Sequence, residues 1–360
     1  MPRDAYSAPL NIENGKIELI HGGGGRAMEQ LIDQLFKAEF IKAGVAGNDG
    51  TGEGPSHDAT LVTPPPGQLA VSTDSHVITP LFFPGGNIGS LAVHGTVNDL
   101  AMGGAKPLWL SAGFILEEGF PLKELQTIVR SMAAAAKEAE VKIITGDTKV
   151  VEKGKGDGVY INTCGIGHVI NQSKIGPQYI QPGDKILISG FLGDHGVAVM
   201  SQRENLGFES EILSDSQSLN GLVAEMLEAV PQVHCLRDPT RGGLANTLNE
   251  LVQSARCDVL LQEATIPLRP AVNGACEFLG LDPLYVANEG KLIAICSAED
   301  ADKLLQVMHN HPKGESAAII GEFVAEKSGD NFQGYLEMET PYGGKRLLDW
   351  LNGEQLPRIC

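Results

Sequence analysis

The chain has 360 residues, 42% of them hydrophobic and 20% charged, and a formal net charge of −18. At roughly 150 residues per domain that length suggests two domains, and the apolar content is enough for a full core in each. The acid excess argues against a nucleic-acid partner and against an anionic membrane surface, since both need Lys and Arg to replace counterions, and no run approaches the ~18 apolar residues of a membrane helix.

Along the chain, MPRDAYSAPLNIENGK lacks the apolar segment of a secretory signal, so the protein reads as cytoplasmic. Residues 1–20 read as an extension or an early strand. The run IELIHGGGG leads into RAMEQLIDQLFKAEFIKA, where Met28, Leu31, Ile32, Leu35 and Phe36 follow helical spacing. Residues 44–57 are polar and Gly-rich and predict a loop. TLVTPP and QLAVSTDSHVI predict strands, IGSLAVHGTVNDLAM a helix, PLWLSAGFILEE a strand, and LKELQTIVRSMAAAAKEAEV a helix. VKIITGD and GVYINTCGIGHVI predict further strands. The turn-rich segment IGPQYIQPGDK marks a domain boundary near residue 175. Beyond it come KILISG and GDHGVAVMSQRENL, a helix near 219–229, DPTRGGLANTLNELVQSA, strands in DVLLQEA, KLIAICS and AAIIGEFVAE, and a helix in AEDADKLLQVMHNH. The alternation indicates an α/β or α+β architecture.

Of the six cysteines, Cys164, Cys235, Cys257, Cys276 and Cys296 lie in apolar or strand-like contexts and read as small buried hydrophobes. No pair has C-x-x-C spacing, which excludes a zinc ribbon or a thioredoxin-like site. Cys360 is different, because it is the last residue, in LPRIC. From Gly353 an extended arm reaches on the order of 26 Å, at about 3.3 Å per residue. A prenylation box needs Cys fourth from the end, so it is excluded. Arg358 partly offsets the terminal carboxylate, which otherwise opposes thiolate formation.

Other residues carry possible phosphate and metal chemistry. Gly22, Gly23, Gly24 and Gly25 precede a helix, where free backbone N–H groups and the dipole suit a phosphate; a flexible turn explains them equally well, and no Walker A sequence follows. Asp58, Asp74, Asp99, Asp147 and Asp238 recur in small-residue contexts, and Asp74 and Asp147 each follow an apolar strand, where open α/β folds bind ligands. Such oxygen ligands would hold Mg²⁺ around a triphosphate, although any single one could be a helix cap or turn residue. Lys149, Arg241, His195, Glu289 and Lys291 could position phosphate or move a proton, or be ordinary salt-bridged charges.

Taken together, HGGGG, STDSHVITPLFFPGGNIGSLAVHGTVNDLAM, ILEEGF, GDTKVV, INTCGIG, GDHG, DPTRGGLANTLNE, ANEGK and the terminal PRIC resemble the hydrogenase maturation factor HypE family, within the AIR-synthetase-like (PurM-like) superfamily. The resemblance covers residues 20–360 and leaves the leading stretch unexplained. It implies an extension over 1–20, an ATP-binding PurM-like domain over 21–175, a second PurM-like α/β domain over 176–326, and a C-terminal segment over 327–360 that ends in a mobile tail. It implies a homodimer, a HypF-like carbamoyltransferase that loads Cys360, and a HypC–HypD-like scaffold that takes cyanide for [NiFe] hydrogenase iron. The implied reaction is ATP-dependent dehydration of an S-carboxamide on Cys360 to a thiocyanate. By the same resemblance, Asp58, Asp74, Asp99 and Asp238 would hold Mg²⁺–ATP; Gly22 to Gly25, Asn98, Asp147 and Thr148 would contact nucleotide; Lys149 and Glu289 would be catalytic. The competing readings are an AIR-synthetase-type ligase or a thiamine monophosphate kinase, neither of which needs a terminal cysteine; a selenophosphate synthetase, which expects a reactive Cys or selenocysteine near the N-terminal glycines, whereas the first cysteine here is Cys164; and a carrier that uses Cys360 only for docking, which would not require the aspartates or Lys149.

Overall fold

The computed structural model describes residues 9–47, 58–170, 174–206, 212–326, 334–351, 353 and 356–360. The glycine run ends at Gly25, the N-cap of helix α1 (Arg26–Leu31), which passes through a π-helical stretch, Ile32–Lys37, into α2 (Ala38–Ala43). Leu31, Leu35, Phe36 and Phe40 form its buried stripe, as the helical spacing predicts. Gly44, at φ 75°, stops the helix in the left-handed conformation that favours glycine. The predicted loop beyond it lies partly outside the described residues.

The first sheet is built from β1 (Leu69–His76), β4 (Ala105–Glu117), β5 (Lys142–Val151) and β6 (Val159–Val169), in the order β1-β6-β4-β5, with only β4 and β5 parallel. A two-stranded ribbon, β2 (Phe82–Phe83) with β3 (Gly86–Asn87), leads into α3 (Ile88–Met102). Asn87 caps that helix, its Oδ1 accepting from Gly89 N at 2.9 Å. The α3 sequence is apolar nearly all round, and the helix is accordingly buried nearly all round. Helix α4 (Leu122–Glu138) is one-sided, burying Leu125, Ile128, Val129, Met132 and Ala136. Both helices cover one face of the sheet, and the alternating exposure of Leu69, Val71, Thr73 and Ser75 shows the other face open. TLVTPP is not a strand: its prolines have no N–H to give a ladder.

The second sheet has the order β13-β12-β9-β11-β7-β10-β8. Its strands are β7 (Lys185–Ile188), β8 (Cys235–Arg237), β9 (Cys257–Gln262), β10 (Ile293–Cys296), β11 (Ala318–Glu326), β12 (Leu336–Glu339) and β13 (Lys345–Leu347). The continuous apolar runs of β7 and β10 are those of strands buried on both faces. Ile186, Ile188, Ile293 and Ile295 pack towards Leu244 and Leu248 of α7 (Gly243–Ala255). Leu187, Ala294 and Cys296 pack towards α6 (Asn220–Ala229) and α9 (Ala298–Asn310). Each fully buried Leu or Ile contributes about 1.5–3 kcal/mol. Helices α5 (Asp194–Arg203) and α8 (Pro270–Leu279) adjoin the first core. The C-terminal segment expected over 327–360 supplies β12 and β13 before returning to the first domain, where Ile359 is buried. Among the described residues no helix is long and apolar enough to cross a membrane.

Candidate active site

The alternation of β1 turns Ser72, Asp74 and His76 towards α3. The helix comes close because residue 95 is glycine: a Cβ there would lie 3.0 Å from Asp74 Oδ2 and 3.1 Å from His76 Cε1. One turn on, Asp99 accepts from Ser72 Oγ at 2.6 Å. The second domain brings Asp238, just after β8, and Glu289, in the turn before β10. Asp99 lies at the rim, Asp74 and Asp238 are half-buried, and Glu289 forms the floor, 4% exposed.

These four carboxylates lie near enough to feel one another's charge. Burial pushes Glu289 well above the usual carboxylate range, and the charges of Asp238, Asp215, Asp74 and Asp99 add to it. Burial, then the neighbouring Asp99, pushes Asp238 up to about 7. Asp99 is also raised, by loss of water and by Asp74, against the pull of Ser72. Glu289 Oε1 and both ring nitrogens of His76 are buried without a hydrogen-bond partner. His76 Nε2 lies 3.5 Å from Asp74 Oδ2, and burial holds its pKa below the ordinary histidine value.

Asp215 is equally buried but satisfied. Burial works to raise its pKa, yet Lys291 Nζ at 3.0 Å, His195 and the N–H of Glu289 (3.1 Å) bring the net shift down, and the N–H of Gly290 also donates to it at 3.3 Å. Asp215 thereby fixes the backbone that carries Glu289. It was not singled out from the sequence, because its segment has no regular structure and its partner lies 76 residues away.

A second group forms on β5. Asp147 and Lys149 stand on the open face of the sheet, ion-paired at 2.6 Å, while Thr148 between them is buried. The Lys149 hydrogen bond holds the Asp147 carboxyl below its usual range. The glycine turn sits directly against this strand: a Cβ on Gly22 would be 2.9 Å from Val150 N. Gly23, Gly24 and Gly25 continue from it with open space around their α-carbons or ordinary contacts only. The structure therefore joins the glycines to the GDTK motif.

Two expected residues stand apart. Asn98 is not free for a nucleotide: its Nδ2 donates to Gln217 O (3.0 Å) and Glu289 O (3.3 Å), and its Oδ1 accepts from Leu219 N (2.7 Å). It is a buried tie between the domains. Asp58 is exposed and is not among the charges that raise Glu289 or Asp238. Of the other candidate charges, Lys291 serves Asp215, and Arg241 is exposed but its charge reaches His76.

The cleft chemistry fits a hard divalent cation, since uncompensated buried carboxylates are relieved by one. Among the described residues, no three His, Cys, Asp or Glu side chains close up enough to hold a metal ion alone. Mg²⁺ commonly takes one or two carboxylates and completes its shell with water and phosphate oxygens, so that arrangement suits a metal arriving with a nucleotide.

Cys360 comes to the end of the same strand. Val77 N donates to Cys360 O at 3.3 Å, Thr79 N to Arg358 O at 3.2 Å, and Arg358 Nε to Val77 O at 3.0 Å. The tail thus runs beside residues 77–79, directly after His76 and three residues beyond Asp74. Arg358 also pairs with Asp157 at 3.0 Å. Cys360 is half-buried against the first core.

The chain matches the family models for AIR synthase related proteins, the N-terminal domain over residues 56–169 and the C-terminal domain over 181–331. It is 59% identical to the carbamoyl dehydratase HypE of Azotobacter vinelandii over 351 residues, covering 98% of this chain and 99% of that one. It is 56% identical to carbamoyl dehydratase HypE of Cupriavidus necator over 356 residues, covering 99% and 98% respectively. Among solved structures, the hydrogenase maturation protein HypE in complex with ATP superposes with a TM-score of 0.87 at 48% identity, covering 95% of this chain and 99% of that one. A HypE–HypF complex matches with a TM-score of 0.76 at 44% identity, covering 91% and 100%.

Proposed function

Since the chain belongs to the HypE family of carbamoyl dehydratases, within the AIR synthase superfamily, we propose that it uses ATP to dehydrate an S-carboxamide carried on Cys360 to a thiocyanate, as the source of cyanide for a [NiFe] hydrogenase iron centre. The observation that carries this reading is the seating of the chain terminus at the end of β1, the strand that carries Asp74, close to carboxylates whose charge Arg237 offsets only in part. A carrier with no chemistry of its own would have no use for those carboxylates.

The amide oxygen is a poor leaving group until it is phosphorylated. It attacks the γ-phosphorus of ATP; ADP leaves, the nitrogen gives up one proton, and an iminophosphate forms. Loss of the second N–H proton then breaks the C–O bond, releases phosphate and leaves S–C≡N. Glu289 would take a proton, a reading supported by its partnerless buried Oε1 and by the burial that makes its carboxylate a stronger base than an exposed one. Lys149 stands on the opposite face of the sheet from the four carboxylates, so it would meet charge developing on the transferred group only across a pairing with a second copy. One or two of Asp74, Asp99 and Asp238 would ligate Mg²⁺ together with phosphate oxygens, and the ion when bound neutralises phosphate charge. Gly22 to Gly25 with Asp147 and Thr148 would cradle the nucleotide. The tail would cover the site when its thiol is presented, which would limit hydrolysis of the activated group.

The open face of the first sheet, with Leu69, Val71 and Ile115 exposed, suits pairing with a second copy, which would make the protein a homodimer and cover Asp147 and Lys149. A HypF-like carbamoyltransferase would load Cys360, and a HypC–HypD-like scaffold would accept the cyanide. Mass spectrometry of the C-terminal peptide tests the reading: the carbamoyl donor system should add a carboxamide to Cys360, and ATP should then remove one water. ATP turnover with no change at Cys360 would reject it.

A further inference from the structure

The GDHG histidine has no part in the chemistry above, yet it is fully buried and fully used. His195 Nε2 lies 2.8 Å from Ile359 O, and Nδ1 lies 2.8 Å from Ser214 Oγ. A carbonyl can only accept, so Nε2 carries the proton and Nδ1 accepts from the Ser214 hydroxyl. Ser214 Oγ in turn accepts from Ser216 N at 3.1 Å. Burial also keeps the ring neutral, by lowering its pKa. The ring stands edge-on to Phe83, with centroids 5.4 Å apart.

Arg203, the last residue of the same helix α5, makes the second contact. Its Nε and Nη2 donate to Thr79 O at 2.9 and 2.6 Å, and Nη2 also donates to Arg358 O at 2.9 Å. One guanidinium thus joins the tail to the segment against which it lies. Between the two ends of α5, Leu356 packs where residue 196 is glycine: a Cβ there would be 3.2 Å from Leu356 Cδ1. Leu356 and Ile359 are both buried.

We propose that His195 and Arg203 are positioning residues, a clamp on the tail's backbone carbonyls that presents Cys360 to the carboxylate cleft; this rests on the reading that Cys360 carries the substrate. Both residues hold main-chain oxygens of residues 358 and 359, so they select where the tail lies rather than which side chains it has. A clamped tail is withheld from any enzyme that must load its thiol. Loosening the clamp therefore shifts the tail from seated to free and moves the two half-reactions apart.

The test uses the full-length protein with Arg203→Gln, Arg203→Lys and His195→Asn. Three rates are measured: single-turnover dehydration of pre-carbamoylated protein, carbamoylation by the transferase, and removal of Cys360 by a carboxypeptidase. Loss of a charged hydrogen bond of about 1.5–3 kcal/mol corresponds to roughly 10–100-fold. Arg203→Gln should slow dehydration by that factor, leave carbamoylation unchanged or faster, and speed carboxypeptidase release. Arg203→Lys should fall in between, because lysine keeps the charge but not the fork. Should His195→Asn fail to fold, the two Arg203 variants decide the matter. Equal slowing of both half-reactions, or wild-type values for dehydration and for Cys360 release, would overturn the clamp. If wild-type protein performs no dehydration while the variants still release Cys360 faster, the clamp stands and the proposed reaction falls.

Discussion

The two faces of the first sheet carry the same kinds of side chain in opposite electrical states. On the open face, Asp147 is exposed and satisfied by Lys149. On the helix-covered face, Asp74 and His76 look towards Asp99, Asp238 and Glu289, which add negative charge that Arg237 offsets only in part; the nearby Lys291 is taken up by Asp215. The difference shows where each group has work to do. A paired carboxylate at a surface is already stable and can orient a lysine. A set of unpaired carboxylates in a cleft is costly until positive charge arrives, which is the state expected of a cation and phosphate site.

Removing the substrate carrier should leave both faces intact. Cys360→Ala should abolish thiocyanate formation while nucleotide affinity stays within about twofold, since the thiol carries the substrate and would not contact the nucleotide's phosphates; calorimetry and product analysis check this. On the cleft side, Glu289→Gln should lower the single-turnover dehydration rate by about 10²–10⁴, the range for loss of a general base. A wild-type rate would move the proton acceptor elsewhere. On the open face, Lys149→Ala should slow the same step by about 10² and weaken nucleotide binding less. Equal losses in binding and rate would make Lys149 a binding group only. Asp74→Asn should weaken Mg²⁺-dependent nucleotide affinity by about tenfold, and unchanged affinity by calorimetry would take Asp74 out of the metal site. Asn98→Ala should cost about 2–4 kcal/mol in denaturant unfolding by stranding buried backbone groups, with nucleotide affinity unchanged. A selective loss of affinity would return Asn98 to the nucleotide site.

Much of this was legible in the chain. The bounds of α3 follow from its apolar run and its Asn87 cap, and β1 and β10 follow from alternation and from continuous apolarity. Helix α8 was missed although Pro270 at its start and Gly280 at its end, φ 68°, are ordinary helix punctuation. Asp74, Asp99, Asp238 and Glu289 could be named one by one, but their convergence depends on how the two domains pack. Asp215 could not be found, because its importance comes from a lysine and two backbone N–H groups far along the chain. Nor could the seat of the tail be read from LPRIC, since His195, Arg203, Val77 and Thr79 bind it through main-chain atoms that every residue shares.

Proton release on nucleotide binding tests the unpaired cleft most directly. Asp238, with its pKa pushed up to about 7, is partly protonated near neutral pH, and burial raises Glu289 as well. A cation entering the cleft lowers both values and expels protons. Titration with Mg²⁺ and a non-hydrolysable ATP analogue at pH 7, in two buffers of different ionisation enthalpy, should give net proton release by calorimetry, reduced in Asp238→Asn. Binding with no release in wild-type protein, or with the same release in the variant, would place the metal nucleotide away from these carboxylates.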